Sequence, residues 1–346
     1  MNIDINVRFT PPVLQNYLEQ QKIHISDNTL SADTDLYNYL TVSACNHIFI
    51  GCPDLEKVKD EKDAHDLASA CNMKIASISK VSKRKIGGFG YIPLYNLNKA
   101  GVEITRCLEQ YGMDGLMLSG NTMGRFLGDP AFDSIMQQLQ EYQATVMLVP
   151  ALHPNTAQIN LQQPEFLVET PCDITRAALN LVLSGTLERY PSINWILAEG
   201  GGFLPYISWR VSLANAMAEY STDIPMGMMN YLRRFYFVTT RSHSSFQIAS
   251  MQELGGDHHL LYGSGAGDFS LDEIKNQTIA LEKTMMEAGL SKTLVGRDNA
   301  LRLFPAYTRP GQSVQAAPRY QHAPAAVRLR SRLLSPLIKI ADKLRH

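Results

Sequence analysis

Thr240 ends a β-rich run at 235–240, and Arg241 and His243 stand just beyond it. If that run is a strand opening on a pocket, all three face its mouth. His243 then supplies an imidazole suited to proton transfer near neutral pH, and Arg241 a fixed positive charge for substrate. A lone loop histidine is more often a solvated or hydrogen-bonding residue, so the catalytic role of His243 stands beside that simpler one. His153, in VPALHP after a run at 145–150, is a second imidazole candidate for substrate contact, although PALHP could bend it away. Gly200, Gly201 and Gly202 lie between a strand-like and a helical stretch, where backbone N–H groups either receive an anion or form a tight turn. GGFG and GSGAG do not complete a dinucleotide fingerprint, so no nucleotide cofactor is expected. Cys45, Cys52, Cys71, Cys107 and Cys172 lack paired metal-ligand spacing and read as reduced, mostly buried thiols.

The elements that must position these groups alternate along the chain. Eight β-rich runs occur at 3–6, 47–51, 87–93, 115–119, 145–150, 194–199, 235–240 and 260–264. Helical periodicity fills 63–81, 97–111, 132–142, 174–190, 204–220 and 271–288. This is the pattern of βα units around a parallel sheet. Asp129-Pro130-Ala131, Gly185 and the capping box from Ser270 to Glu273 punctuate three of the helices. His258 and His259 precede the eighth run and are expected at the far end of the sheet, away from chemistry. Residues 26–40 break the alternation with SDNTLSADTDLYNYL, either an active-site loop or a surface insertion.

A chain of 346 residues with 45% hydrophobic and 19% charged residues has the composition of a globular protein. With 32 Lys and Arg against 33 Asp and Glu, its net charge of -1 argues against a nucleic-acid partner. MNIDINVRFTPP lacks the basic start and apolar run of a secretory signal, and no apolar stretch reaches the roughly 20 residues needed to span a bilayer. A soluble cytoplasmic protein is expected. After Pro305 the texture changes to a Pro/Gln/Ala-rich linker, 306–324, and then to a tail, 325–346, rich in Lys, Arg and Leu. That tail reads either as a basic amphipathic helix with Pro336 near its middle, able to make weak contact with a membrane surface or a protein, or as a partly disordered or oligomer-packing segment.

Four stretches carry a resemblance: LASACNMKIASISKVSKRKIGGFGYIPL, YGMDGLMLSGNTMGRFLGDPAFDSIM, LVLSGTLERYPSINWILAEGGGFLPYISWR and NALRLFP. In this order they resemble the amidohydrolase-related proteins that include aminocarboxymuconate semialdehyde decarboxylase. The resemblance implies a TIM-type (β/α)8 barrel over 1–305. It also implies a divalent metal held by two His after the first strand, one after the fifth and an Asp after the eighth, with a further His after the sixth as acid/base. Here DINVR keeps Asp4 but puts Asn6 and Arg8 at the two first-strand His positions. Val149, Glu199 and Gly265 take the other three. A catalytic zinc needs about three protein ligands, and Arg8 would repel a dication, so no metal is expected there.

The altered pocket has its own chemistry. Arg8 could hold a carboxylate or oxyanion, with Asn6 beside it and Glu199 as partner or general base; equally, Arg8 and Glu199 could form an ion pair that fills the emptied site. Arg210 in EGGGFLPYISWR matches an arginine that in the relatives reaches a neighbouring subunit's substrate, which implies an anionic small-molecule substrate and a homodimer. Two functions follow. The first is a metal-independent lyase, decarboxylase or cyclisation-type enzyme acting on a small carboxylate- or ketone-bearing molecule. The second is a pseudoenzyme serving as scaffold, subunit or ligand-binding partner.

Overall fold

The computed structural model describes residues 3–159, 161–309, 311 and 314–345, with backbone alone for 337–345. Eight parallel strands lie in chain order: β1 Ile3–Arg8, β2 His47–Gly51, β3 Ile86–Tyr91, β4 Gly115–Ser119, β5 Thr145–Val149, β6 Asn194–Leu197, β7 Tyr236–Val238 and β8 Leu260–Leu261. The ring is closed by the residues after β8, since Tyr262 O accepts from Ile5 N at 3.1 Å, Asn6 O from Gly265 N at 3.1 Å and Ala266 O from Arg8 N at 2.7 Å. Gly267 permits this approach: with φ +96, a Cβ there would lie 2.5 Å from Arg8 O. The chain is thus a (β/α)8 barrel. Its strands are near-continuous apolar runs because both faces are covered, by side chains inside and helices outside.

Helices Glu61–Val81, Leu97–Thr105, Asp133–Glu141, Glu169–Leu183, Leu204–Val211 and Leu271–Glu287 fall on the periodic stretches. The Ser270/Glu273 capping box forms, and Gly185 takes the left-handed φ of +73 just after Glu169–Leu183. The stretch 204–220 is broken, because Met217 is extended and only short 3-10 turns follow Val211. Several helices escape the periodicity argument, among them Pro12–Gln20, Asp33–Val42 and Ser245–Gly255. Asp33–Val42 buries only Leu36 and Tyr39 beneath an otherwise polar sequence, and Ser245–Gly255 follows the seventh strand under a Ser244/Gln247 capping box. Residues 26–30 pack on the barrel mouth, where Leu30 O accepts from Thr10 N at 2.9 Å and Ser26 Oγ donates to Asp268 O at 3.2 Å.

Residues 317–323 run back along the barrel. Ala317 N donates to Arg302 O at 3.1 Å, Ala323 N donates to the Glu188 carboxylate at 2.8 Å, and the Tyr320 ring lies 5.0 Å from the Arg234 guanidinium. The backbone of Ala325–Arg345 is helical. The side chains of 337–346, the distal part of the expected basic tail, lie outside the described residues.

Candidate active site

A one-residue bulge in β1 sets the site. Asp4 pairs with Ile48 but Val7 with Ile50, so an extra residue re-aims the end of the strand. Asp4 stays buried as a structural anchor, accepting from Tyr39 OH at 2.7 Å and Ser264 N at 3.0 Å, and burial pushes its carboxyl up from the ordinary range. Arg8 emerges at the C-terminal end of the barrel. Its Nη1 donates to Asp268, and its Nε lies 3.4 Å from the Asp54 carboxylate without hydrogen-bond geometry. Asp54 is itself held by Thr10 Oγ1 at 2.8 Å and Lys57 Nζ at 2.8 Å. Burial opposes ionisation of Asp54, but Arg8 and Lys57 outweigh it and hold the carboxyl below its ordinary range.

Glu199 does not pair with Arg8, the arrangement offered by the sequence as one alternative. Its Oε1 accepts from Arg241 Nη1 at 3.0 Å, and Arg241 Nη2 lies 3.6 Å from Asp268. Both Glu199 (φ 54) and Arg241 (φ 57) are left-handed, just beyond β6 and β7. A non-glycine residue there costs on the order of 1 kcal/mol or more, so the surroundings must hold this geometry in place. Part of that hold is aromatic, since the Arg241 guanidinium lies 5.1 Å from the Phe166 ring and 4.9 Å from Phe269. Glu199 is only 13% exposed; burial pushes its carboxyl above the ordinary range, with Arg241 pulling it back and Asp268 adding to the rise.

These groups line an open cavity of about 270 Å³ that also takes in Lys57, Glu56, Glu165 and Phe166. Three cations thus face four carboxyls, Glu56, Glu165, Glu199 and Asp268. Burial raises the Glu56 carboxyl too, against the pull of Lys59. With Glu199 and Glu56 protonated the lining carries one net positive charge; with both ionised it carries one net negative charge.

The donor set does not fit a divalent metal. Val149 and Gly265 offer no side-chain donor, and the Asn6 amide donates to Thr240 Oγ1 at 2.8 Å. Glu199, Asp268 and Asp54 are each engaged by a guanidinium or ammonium group, and no cluster of three His, Cys, Asp or Glu suited to a metal occurs among the described residues.

Of the residues singled out from sequence, Asn6, Arg8, Glu199 and Arg241 converge on the cavity. His243 lines an adjoining groove of about 580 Å³ that shares Phe166, Glu199 and Arg241, and burial lowers its pKa so that the imidazole is neutral at pH 7. His153 caps a short helix instead, its Nδ1 accepting from Asn155 N at 3.1 Å. Arg210 is exposed on the helix Leu204–Val211, beside Tyr206 and Trp209. Sequence reasoning missed Asp54 and Lys57. The signal was there in GCPDLEK, a carboxylate and a lysine directly after a strand.

Residues 52–306 match a family model described as Amidohydrolase. The chain is 27% identical over 323 residues to 6-methylsalicylic acid decarboxylase of Aspergillus aculeatus, covering 89% of this chain and 97% of that protein. It is also 27% identical over 312 residues to 6-methylsalicylic acid decarboxylase of Penicillium expansum, covering 88% and 96%. The crystal structure of 2,6-dihydroxybenzoate decarboxylase complexed with 2,6-dihydroxybenzoate superposes with a TM-score of 0.75 at 19% identity, over 89% of this chain and 99% of that one. The family match spans more than half of the chain, and the protein belongs to the amidohydrolase family.

Proposed function

We propose that the protein is a metal-independent decarboxylase of small hydroxylated aromatic acids. The observation that carries this reading is the open cavity in which a buried carboxyl with a raised pKa, Glu199, lies against Arg241 and near Arg8. A guanidinium has five N–H donors, and Arg8 and Arg241 each spend one on the carboxylates described above. Arg8 Nε is buried against Asp54 and Arg241 Nη2 faces Asp268 at 3.6 Å, and the other N–H groups of the two side chains are left to hold a substrate carboxylate. Protonated Glu199 then delivers its proton to the ring carbon that bears the carboxylate. The carbon–carbon bond breaks, its electron pair returns to the ring, and CO2 leaves; Glu199 recovers its proton from solvent. The names of the relatives, both acting on an aromatic acid, support the substrate class.

The test is release of CO2 from 2-hydroxybenzoate and its 6-methyl derivative by the purified, untagged protein, before and after dipicolinate treatment, with metal content read by plasma mass spectrometry. Turnover unchanged within about twofold after chelation is expected. Loss on chelation with recovery in zinc would refute metal independence. The rival reading, a pseudoenzyme, has one observation in its favour: Arg8, Arg241 and Lys57, the three cations of the lining, already have carboxylate partners. Absence of any turnover would support it.

We also infer a homodimer. Tyr206 (84% exposed) and Trp209 (69%) on Leu204–Val211, Leu213 (70%) in the 3-10 turn that follows it, and Phe246 (86%) on the contacting helix Ser245–Gly255 lie at the cavity's edge, and Arg210 is among them. A second copy would cover this apolar face. Sedimentation velocity should give a species of twice the chain mass, and Trp209→Glu should convert it to monomer; a monomeric parent protein would rule the dimer out. We place the enzyme in the cytoplasm, a reading that rests on the sequence; no helix among the described residues is long and apolar enough to cross a membrane.

A further inference from the structure

Beside the charged cavity lies a second compartment of about 370 Å³, at the C-terminal ends of β3 and β4. Tyr91, Leu94, Tyr95, Met123 and Ala151 line it, and Glu56 and Leu152 line both spaces and form their common wall. The two compartments differ in chemistry. In the second, most polar tips apart from the Thr122 hydroxyl are already used: Tyr91 OH and Ser119 Oγ share a hydrogen bond of 2.6 Å, and Tyr95 OH donates to Val58 O at 3.2 Å. The Asn121 amide donates to Ala151 O and to Asp173 at 3.2 Å, while its carbonyl accepts from Gly124 N at 3.1 Å. Lys59 is paired with Glu56 at 3.3 Å. A ligand therefore meets ring faces and aliphatic carbons there, and a polar group would gain little.

The compartment is built rather than incidental. Tyr91 (4% exposed) and Ala151 (6%) are packed walls, and Ala151 N is tied to the Asp173 carboxylate at 2.9 Å. Opposite them Met123 stands at the lip, 77% exposed and with a left-handed φ of 52, an unbranched side chain able to fold over an apolar guest.

We propose that this compartment binds an apolar extension of the same substrate whose carboxylate lies between Arg8 and Arg241. The substrate is then an aromatic acid carrying an alkyl or aryl tail, rather than a bare ring. This rests on the decarboxylase reading for the head group, but the compartment can be tested without turnover. Both 2-hydroxy-6-pentylbenzoate and 2-hydroxy-4-pentylbenzoate would lose CO2 to give 3-pentylphenol, so that phenol probes the tail pocket for either isomer.

Calorimetric titration of the full chain with 3-pentylphenol and with phenol is the experiment. Burying one methylene is worth roughly fourfold in affinity, so 3-pentylphenol should bind about thirtyfold or more tighter than phenol. Two variants fill or crowd the space: Ala151→Leu from the wall and Met123→Trp from the exposed lip, where folding is not at stake. Both should erase the gain and leave phenol binding unchanged. Equal affinities for the two phenols, or a gain that survives both variants, would overturn the proposal whatever the turnover assay shows. A gain that disappears in both variants, together with no turnover of the pentyl acids or of 2-hydroxybenzoate and its 6-methyl derivative, would keep the tail pocket but remove the acid as its ligand, which is failure of the decarboxylase reading; turnover of the short acids without the pentyl acids would overturn the proposal instead.

Discussion

Replacing Glu199 by glutamine is expected to lower kcat for decarboxylation by 10²- to 10⁴-fold, the usual contribution of a positioned general acid. The amide keeps an oxygen for Arg241, so the 3.0 Å contact and the left-handed turn are retained and folding should be intact. The sign of the pH dependence follows from the raised carboxyl. The acid form is present below its elevated pKa and is lost as pH rises, so the wild-type rate should fall on the alkaline side while the residual rate of Glu199→Gln stays flat. Charge gives a second signature. An anionic substrate enters a lining of three cations and four carboxyls, so it binds best when Glu199 is neutral. At pH 8 the glutamine variant, neutral at every pH, should bind a substrate carboxylate more tightly than wild type although it turns over far more slowly. An ion pair serving only to fill space would predict no such split between affinity and rate. Equal kcat in the two proteins would exclude Glu199 as the acid.

The barrel was legible because its strands are short apolar runs separated by helical periodicity, and because long-range order adds little to what those runs already require. The helix Asp33–Val42 was not, since it buries two side chains and hides them in a polar stretch. The same divide runs through the site. Asn6, Arg8 and Glu199 could be found because the resemblance puts them at the positions of the family's site histidines, and Arg241 because it stands just beyond a strand end, where a barrel keeps its chemistry. Their pairing could not be found. Arg8 is matched to Asp268 by the turn at Gly265 and Gly267, both at positive φ, which folds the loop after β8 back onto β1. Glu199 and Arg241 meet because two non-glycine residues adopt left-handed backbones, which no local sequence rule requires. Asp54 and Lys57 complete the network from the loop after β2, at a sequence distance where spacing carries no information.

Arg8→Met should cost about 3–5 kcal/mol of stability at neutral pH, because it leaves two largely buried carboxylates short of their cation. Asp54 is 2% and Asp268 15% exposed, and each keeps only one other cation, Lys57 at 2.8 Å for the first and Arg241 at 3.6 Å for the second. For a chain of this size such a loss lowers Tm by about 4–7 °C. The pH dependence separates the lost ion pair from lost packing. In the wild-type protein Asp54 titrates below its ordinary range, so its pairing contributes stability above that range and loses it as pH falls through the depressed pKa. As pH falls below about 4, where a free aspartate protonates, the two proteins should therefore begin to converge, and they should meet below the depressed pKa of Asp54, where its carboxyl is neutral in both and needs no partner. A gap as large at pH 3.5 as at pH 7 would mean that Arg8 acts through its aliphatic stem rather than its charge. The double variant Arg8→Met/Asp268→Asn should recover part of the loss at neutral pH, because it removes the carboxylate that has lost its nearer cation and keeps only the longer contact to Arg241. A network that only filled the pocket could be replaced in this way without consequence for binding. A substrate-holding Arg8 cannot be, and the stabilised double variant should still fail to take up a substrate carboxylate.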